Sequence, residues 1–150
     1  NAYLGNIFGD ISLYTIQQNL PEIRAIAVKN IGLSTKINVI AYVQYPDNND
    51  CIIKLGVSDP SADDCGDLYA PKIASIYAAP YGVELVEANE FVNAITIGDI
   101  DPGSYFILYI QRILKPELQV PKSDEDLLAI FEGTELPTLE DITLKIEWDD

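Results

Sequence analysis

The sequence predicts an all-β protein, a β-sandwich of about eight strands with at most one short helix, and three observations point there. Short β-prone runs recur along the 150 residues, each closed by a turn composition rich in Pro, Gly, Asn or Asp. One of them, residues 104–113, reads "SYFILYIQRI" and is apolar on both faces, as a central strand covered on both sides requires. A single stretch carries helical start and stop signals. Many short strands in one domain-sized chain is the pattern of two packed sheets.

The elements follow in chain order. Residues 1–20 hold Leu4, Ile7, Phe8, Ile11, Leu13 and Ile16 without a clear period, and read as an N-terminal arm or an edge strand. Ile7, Phe8 and Ile11 are expected to be buried, on their own sandwich or on an adjacent subunit. Residues 21–150 then form a single β-sandwich domain. Its first strand is "IRAIAVK" at 23–29, stopped by the turn "NIGLS". The next, "INVIAYVQY" at 37–45, places Ile37, Val39, Ala41, Val43 and Tyr45 on one face and Asn38 and Gln44 on the other, and ends at "PDNND".

Three runs come next: "CIIKLGV" at 51–57, "KIASIY" at 72–77 and "GVELVE" at 82–87. "NAITIG" at 93–98 precedes the turn Asp101-Pro102-Gly103 and the central run. The helical candidate is "SDEDLLAIFEG" at 123–133, with Ser123 as N-cap, acids in the first turn and Gly133 beyond the end, although "LLAIF" fits a strand equally. The last strand, "DITLKIEW" at 141–148, alternates with Ile142, Leu144, Ile146 and Trp148 inward.

The chain has only two arginines, Arg24 and Arg112. Arg112 follows Leu108 and Ile110 at a spacing of two, so it continues an apolar face. Its guanidinium is expected at the rim of the core, held by a carboxylate or by backbone carbonyls, and both arginines read as structural.

Composition bounds the function. With 24 acidic against 9 basic residues the net charge is −15, which repels phosphate backbones and anionic lipid, so neither nucleic acid nor membrane is an expected partner. No apolar run approaches the ~20 residues that cross a bilayer. The first ten residues lack the basic start and apolar core of a signal peptide, and a start at Asn1 fits a processed product or an excerpt.

Catalytic chemistry is scarce. Without histidine the chain has no His base, no His-paired nucleophile and no His-ligated zinc. Its nine glycines fall into no phosphate-binding spacing. Paired carboxylates could cleave a sugar only across a cleft, and a non-enzymatic protein is the expectation. The acidic turn "DPSADDCGD" offers Asp59, Asp63, Asp64 and Asp67 as a candidate calcium site, without EF-hand spacing; a solvated turn with local hydrogen bonds is the other reading. No other cofactor is expected. A disulfide Cys51–Cys65 would stabilise by about 3 kcal/mol, against a buried thiol at 51 and an exposed one at 65.

An ordered set of motifs carries a family resemblance. "NAYLGNI" at 1–7, "IRAIAVKN" at 23–30, "IIKLGVSDP" at 52–60, "APYGVEL" at 79–85, "IGDIDPGSYFILYIQRIL" at 97–114 and "ITLKIEW" at 142–148 together resemble an immunoglobulin-like β-sandwich that recurs in virion and prophage structural proteins. Its most specific parts carry Arg24, Lys29 and Asn30, and Gly98, Asp99, Pro102, Gly103 and Arg112. Members of the pattern usually have Trp and Lys where this chain has Tyr109 and Gln111, and a shorter link than residues 115–140.

The resemblance implies an immunoglobulin-like or jelly-roll-like sandwich. It also implies a structural component of a bacteriophage or other viral particle, such as a capsid decoration protein or a head or tail accessory protein. Other virion structural proteins, or further copies of the chain, would be its partners. A cellular alternative with the same physical traits is an extracellular filament or adhesin subunit assembled by strand exchange. A carbohydrate-binding module is a third.

Overall fold

The computed structural model describes residues 2–5, 7–8, 19–46, 50–58, 82–116 and 142–149. Among these residues seven strands occur: β1 (Ala2–Gly5), β2 (Glu22–Lys29), β3 (Lys36–Gln44), β4 (Cys51–Val57), β5 (Ile95–Ile100), β6 (Tyr105–Leu114) and β7 (Ile142–Asp149). They form two sheets with strand orders β1-β7-β3-β5 and β2-β6-β4. Every pairing is antiparallel. The protein is an all-β sandwich.

The central position of β6 follows from its sequence. Residues Leu108 to Arg112 are buried without a break, because β6 has strands on both edges and cover on both faces. Its inward residues Phe106, Leu108, Ile110 and Leu114 meet Val39, Ala41, Val43, Ile142 and Leu144 of the other sheet in one core. Each such side chain, once fully buried, contributes roughly 1.5–3 kcal/mol. β2 and β4 flank β6 in unbroken register, which sets Arg112 opposite Glu22 on one side and Ile53 on the other.

Three expectations are corrected. Residues 82–87 are not a regular strand: they make one isolated bridge, Leu55 with Val86. The segment instead changes sheets, since Ala88 accepts a hydrogen bond from the Val43 amide at 2.8 Å on the edge that β5 continues. It thereby stitches β4 of one sheet to β3 of the other. Gly56 permits the crossing: a Cβ there would lie 2.6 Å from the Glu84 carbonyl oxygen, closer than any side chain can stand.

Ile37 and Trp148 are exposed rather than buried. At Ile37 the alternation is broken by a bulge, marked by register shifts between Ile37 and Ile40 and by Asn38 at φ 52°. Asparagine tolerates that left-handed conformation, and here the Asp99 carboxylate accepts its amide N–H at 2.9 Å. Trp148 keeps its inward parity, but it lies opposite this irregular start of β3, at the end of the sandwich. Ile146, two residues earlier, still packs against the core. The expected strand 72–77, the helical candidate 123–133 and Ile11 lie outside the described residues.

The N-terminal segment contributes β1 to one edge of the larger sheet, paired with β7. Phe8 then enters the core at 6% exposure, and Ile7 packs against it.

Candidate functional site

The two ends of the sandwich differ, and the contrast defines the candidate site. One end is closed by charge. Where β2 begins and β6 finishes, the Arg112 guanidinium donates a hydrogen bond to the Glu22 carboxylate at 2.6 Å, with the side chains only 2% and 8% exposed. Arg112 also lies over the Phe8 ring at 4.9 Å, and Arg24 approaches the same ring at 5.4 Å. Arg24 is only partly buried and donates to the Ile23 carbonyl at 3.0 Å. Both arginines therefore converge on one phenylalanine from the N-terminal segment. Arg112 sits deeper than the rim position its spacing suggests, because Phe8 covers it from the chain terminus.

Cys51 stands on the inward face of β4 near this end as a free thiol. Burial pushes its pKa up from 9.0 to about 11, with the charges of Asp50 and Glu22 adding to the rise and Arg112 and Lys115 opposing it. Cys65 lies outside the described residues, as do Asp59, Asp63, Asp64 and Asp67. Among the described residues no group of three His, Cys, Asp or Glu side chains is placed to hold a metal ion.

The other end is open and apolar. Here β2 and β5 finish, β3 and β6 begin, and β7 ends. The turn Asp101–Ser104 closes through the Ser104 amide, which donates to the Asp101 carbonyl at 3.0 Å. Pro102 pre-sets the second position, and Gly103 at φ 81° takes the third, which a type II turn reserves for glycine.

Asn30 ties this turn to its neighbour. Its side-chain amide donates to the carbonyls of Ser34 and Ile100, both at 2.9 Å, while its side-chain oxygen accepts the Gly32 amide at 2.9 Å. Its backbone exchanges hydrogen bonds with Gly103 and Ser104. The Thr35 hydroxyl donates to Asp101 at 2.8 Å. The sequence motifs around Asn30 and around Gly98 to Gly103 thus build one scaffold.

That scaffold presents side chains the core does not use. Ile31 is 89% exposed and Leu33 fully so, with Ile37 and Trp148 each at 45%. Between the sheets a cleft of about 180 Å³ opens beside them, its floor made by the core residues Val39, Ile100 and Phe106 and its lip by Lys29, Lys36 and Trp148. The Lys36 ammonium sits 4.9 Å above the Trp148 ring, a cation–π contact that holds both at the lip. On the far side of Trp148 a second recess is lined by Asn38, Ile40, Phe91, Glu147 and Asp149. Phe91 and Val92 are exposed there, and the Phe91 ring stands edge-on to Tyr42 at 6.3 Å. The Tyr42 hydroxyl donates to Glu147 at 3.2 Å. Burial, then the charge of Glu147 and this hydrogen bond, raise the phenol above its usual range.

This end is suited to binding by contact. It offers apolar area, two cations and a slot open to solvent. The one sequence signal for it was the pair of aliphatic residues, Ile31 and Leu33, inside the turn composition "NIGLS"; nothing in the pattern placed Lys36 over Trp148. Comparison of the chain with protein-family models, with curated proteins and with solved structures finds no match in any of the three.

Proposed function

We propose that the protein is a non-enzymatic structural component of a viral particle, a capsid decoration protein or a head or tail accessory protein, that works through protein–protein contacts. The observation that carries this is the open end, where Ile31 and Trp148, largely and partly exposed, line a cleft, and Leu33 and Ile37 are exposed in the adjoining turn and strand start. Large apolar groups gathered at one end of a strongly acidic protein mark a contact surface, since scattered ones would need no explanation. The viral assignment rests on the motif resemblance. Its support is that part of the most specific motif set, Asn30 with Gly98, Asp99, Pro102 and Gly103, builds the scaffold of this surface, while Arg24 and Arg112 of the same set close the opposite end.

The test is attachment. Purified protein is added to particles assembled without it and sedimented with them, beside an Ile31→Asp/Leu33→Asp variant. The wild type co-sediments and the variant stays in solution with an unchanged melting temperature. A variant that attaches as well as the wild type rejects the contact surface, and a wild type that never attaches rejects the particle.

A second reading, an extracellular filament or adhesin subunit built by strand exchange, draws on β1. A four-residue terminal edge strand, followed by Phe8 in the core, is an element a neighbouring copy could supply. That subunit would polymerise when pure. A particle component stays soluble until its particle is present.

A further inference from the structure

We propose that the cleft at the open end receives one apolar side chain of a different protein whose flanking residues are acidic. This rests on the reading of that end as a contact surface and adds the chemistry of the partner.

Size decides the kind of occupant. The cleft, about 180 Å³, falls below the roughly 300–1,000 Å³ of small-molecule sites and is close to the ~150 Å³ that houses a benzene ring. One leucine or phenylalanine side chain fits. Its walls are Val28, Val39, Ile100, Phe106 and Ile146, so an apolar anchor is matched and a polar one would be stranded. Ile31 and Trp148 at the mouth would be covered as the anchor enters, which is how a binding hot spot excludes water.

Charge decides the flanks. In a chain of net charge −15, the lining holds Lys29 and Lys36 and no carboxylate. Neither lysine has a salt bridge among the described residues. Asp99, Asp101 and Asp149 at the same end keep their charge but lie outside the lining, where they accept hydrogen bonds from Thr35 and from the backbone and side-chain amides of Asn38. Lys29 and Lys36 are thus the only charged side chains that line the cleft itself, where an occupant's flanks would meet them. A second copy is disfavoured as the partner, because two chains of −15 repel each other.

The chain has a single tryptophan, Trp148, so its fluorescence reports the lip. Blocked five-residue peptides with a central leucine between two aspartates on each side, or between two lysines on each side, are titrated into the protein at about 0.15 M salt. A third peptide replaces leucine by alanine between aspartates. The acidic leucine peptide is expected to give a saturable change in Trp148 emission at concentrations several-fold below the basic one. Lys36→Glu, which leaves the core untouched, should reverse that order.

Equal or better binding of the basic peptide, as net charge alone dictates, overturns the proposal. So does equal binding of the alanine peptide, or no saturation by about 10 mM. Self-association of the pure protein through this end overturns it in favour of a second copy. If the peptides fail while Ile31→Asp/Leu33→Asp still abolishes particle attachment, the contact surface stands and only this partner chemistry falls.

Discussion

Arg112 and Glu22, ninety residues apart, form a 2.6 Å ion pair inside the sandwich, under the ring of Phe8. Antiparallel pairing of β2 with β6 sets the two directly opposite, and both lie on the inward face of their sheet. Taking two charges from water is costly, so the pair is expected to add little net stability and to act by favouring the register that sets Arg112 opposite Glu22.

The two halves of the pair therefore behave differently from the whole. Arg112→Ala should cost about 3–5 kcal/mol, because it strands the Glu22 carboxylate in the core. Replacing both, as Arg112→Met/Glu22→Leu, should be neutral or stabilising by about 1–4 kcal/mol. Urea unfolding of the three proteins checks this. A change within about ±0.5 kcal/mol for Arg112→Ala would show that the pair is not a clamp.

Phe8 should matter as a core residue although it lies close to the chain terminus. Phe8→Ala is expected to cost about 3–5 kcal/mol, as for a buried aromatic elsewhere. Phe8→Leu keeps an apolar filler but removes the ring both arginines face, and should cost about 0.5–2 kcal/mol for the cation–π contacts. Thermal melts separate the two. Identical melting of Phe8→Ala and wild type would mean that the segment does not seal the core.

Alkaline pH should destabilise the protein through Cys51 and Tyr42. The folded thiol, at about 11, lies above its ordinary 9.0, so its contribution is fully present below pH 9 and is lost as pH rises through 11. Tyr42 is shifted in the same direction, so its contribution is lost from its ordinary 10.0 upward. Urea midpoints measured between about pH 8 and about pH 11 should fall, and fall less in Cys51→Ala/Tyr42→Phe. Parallel curves for the two proteins would exclude these groups as the cause.

Local patterns made much of the fold legible. β4 occupies 51–57 as its composition predicts, and the apolar faces of "SYFILYIQRI" identify the central strand. Alternation failed at Ile37, because it cannot register the Asn38 bulge, and at Trp148 it gave the face but not the exposure, because it cannot register where the sandwich ends. The segment around Val86 looked like a strand because it is β-prone, yet its hydrogen bonds are divided between two sheets. Glu22 was the least legible, since a carboxylate one residue before an apolar run carries no sign that an arginine ninety residues on will face it.

The open end was legible only after folding. Ile31 comes from the turn after β2, Lys36 from the start of β3 and Trp148 from the end of β7, and only the closed sandwich brings them together. Their convergence, and not any one motif, is what distinguishes a contact surface from scattered apolar residues.

A cryo-EM map of the native assembly tests the central claim most directly. The account predicts Ile31, Leu33 and Trp148 buried against a neighbouring protein, with acidic residues of that neighbour beside Lys29 and Lys36. A map in which this end faces open solvent, while another surface makes the contacts, would contradict it.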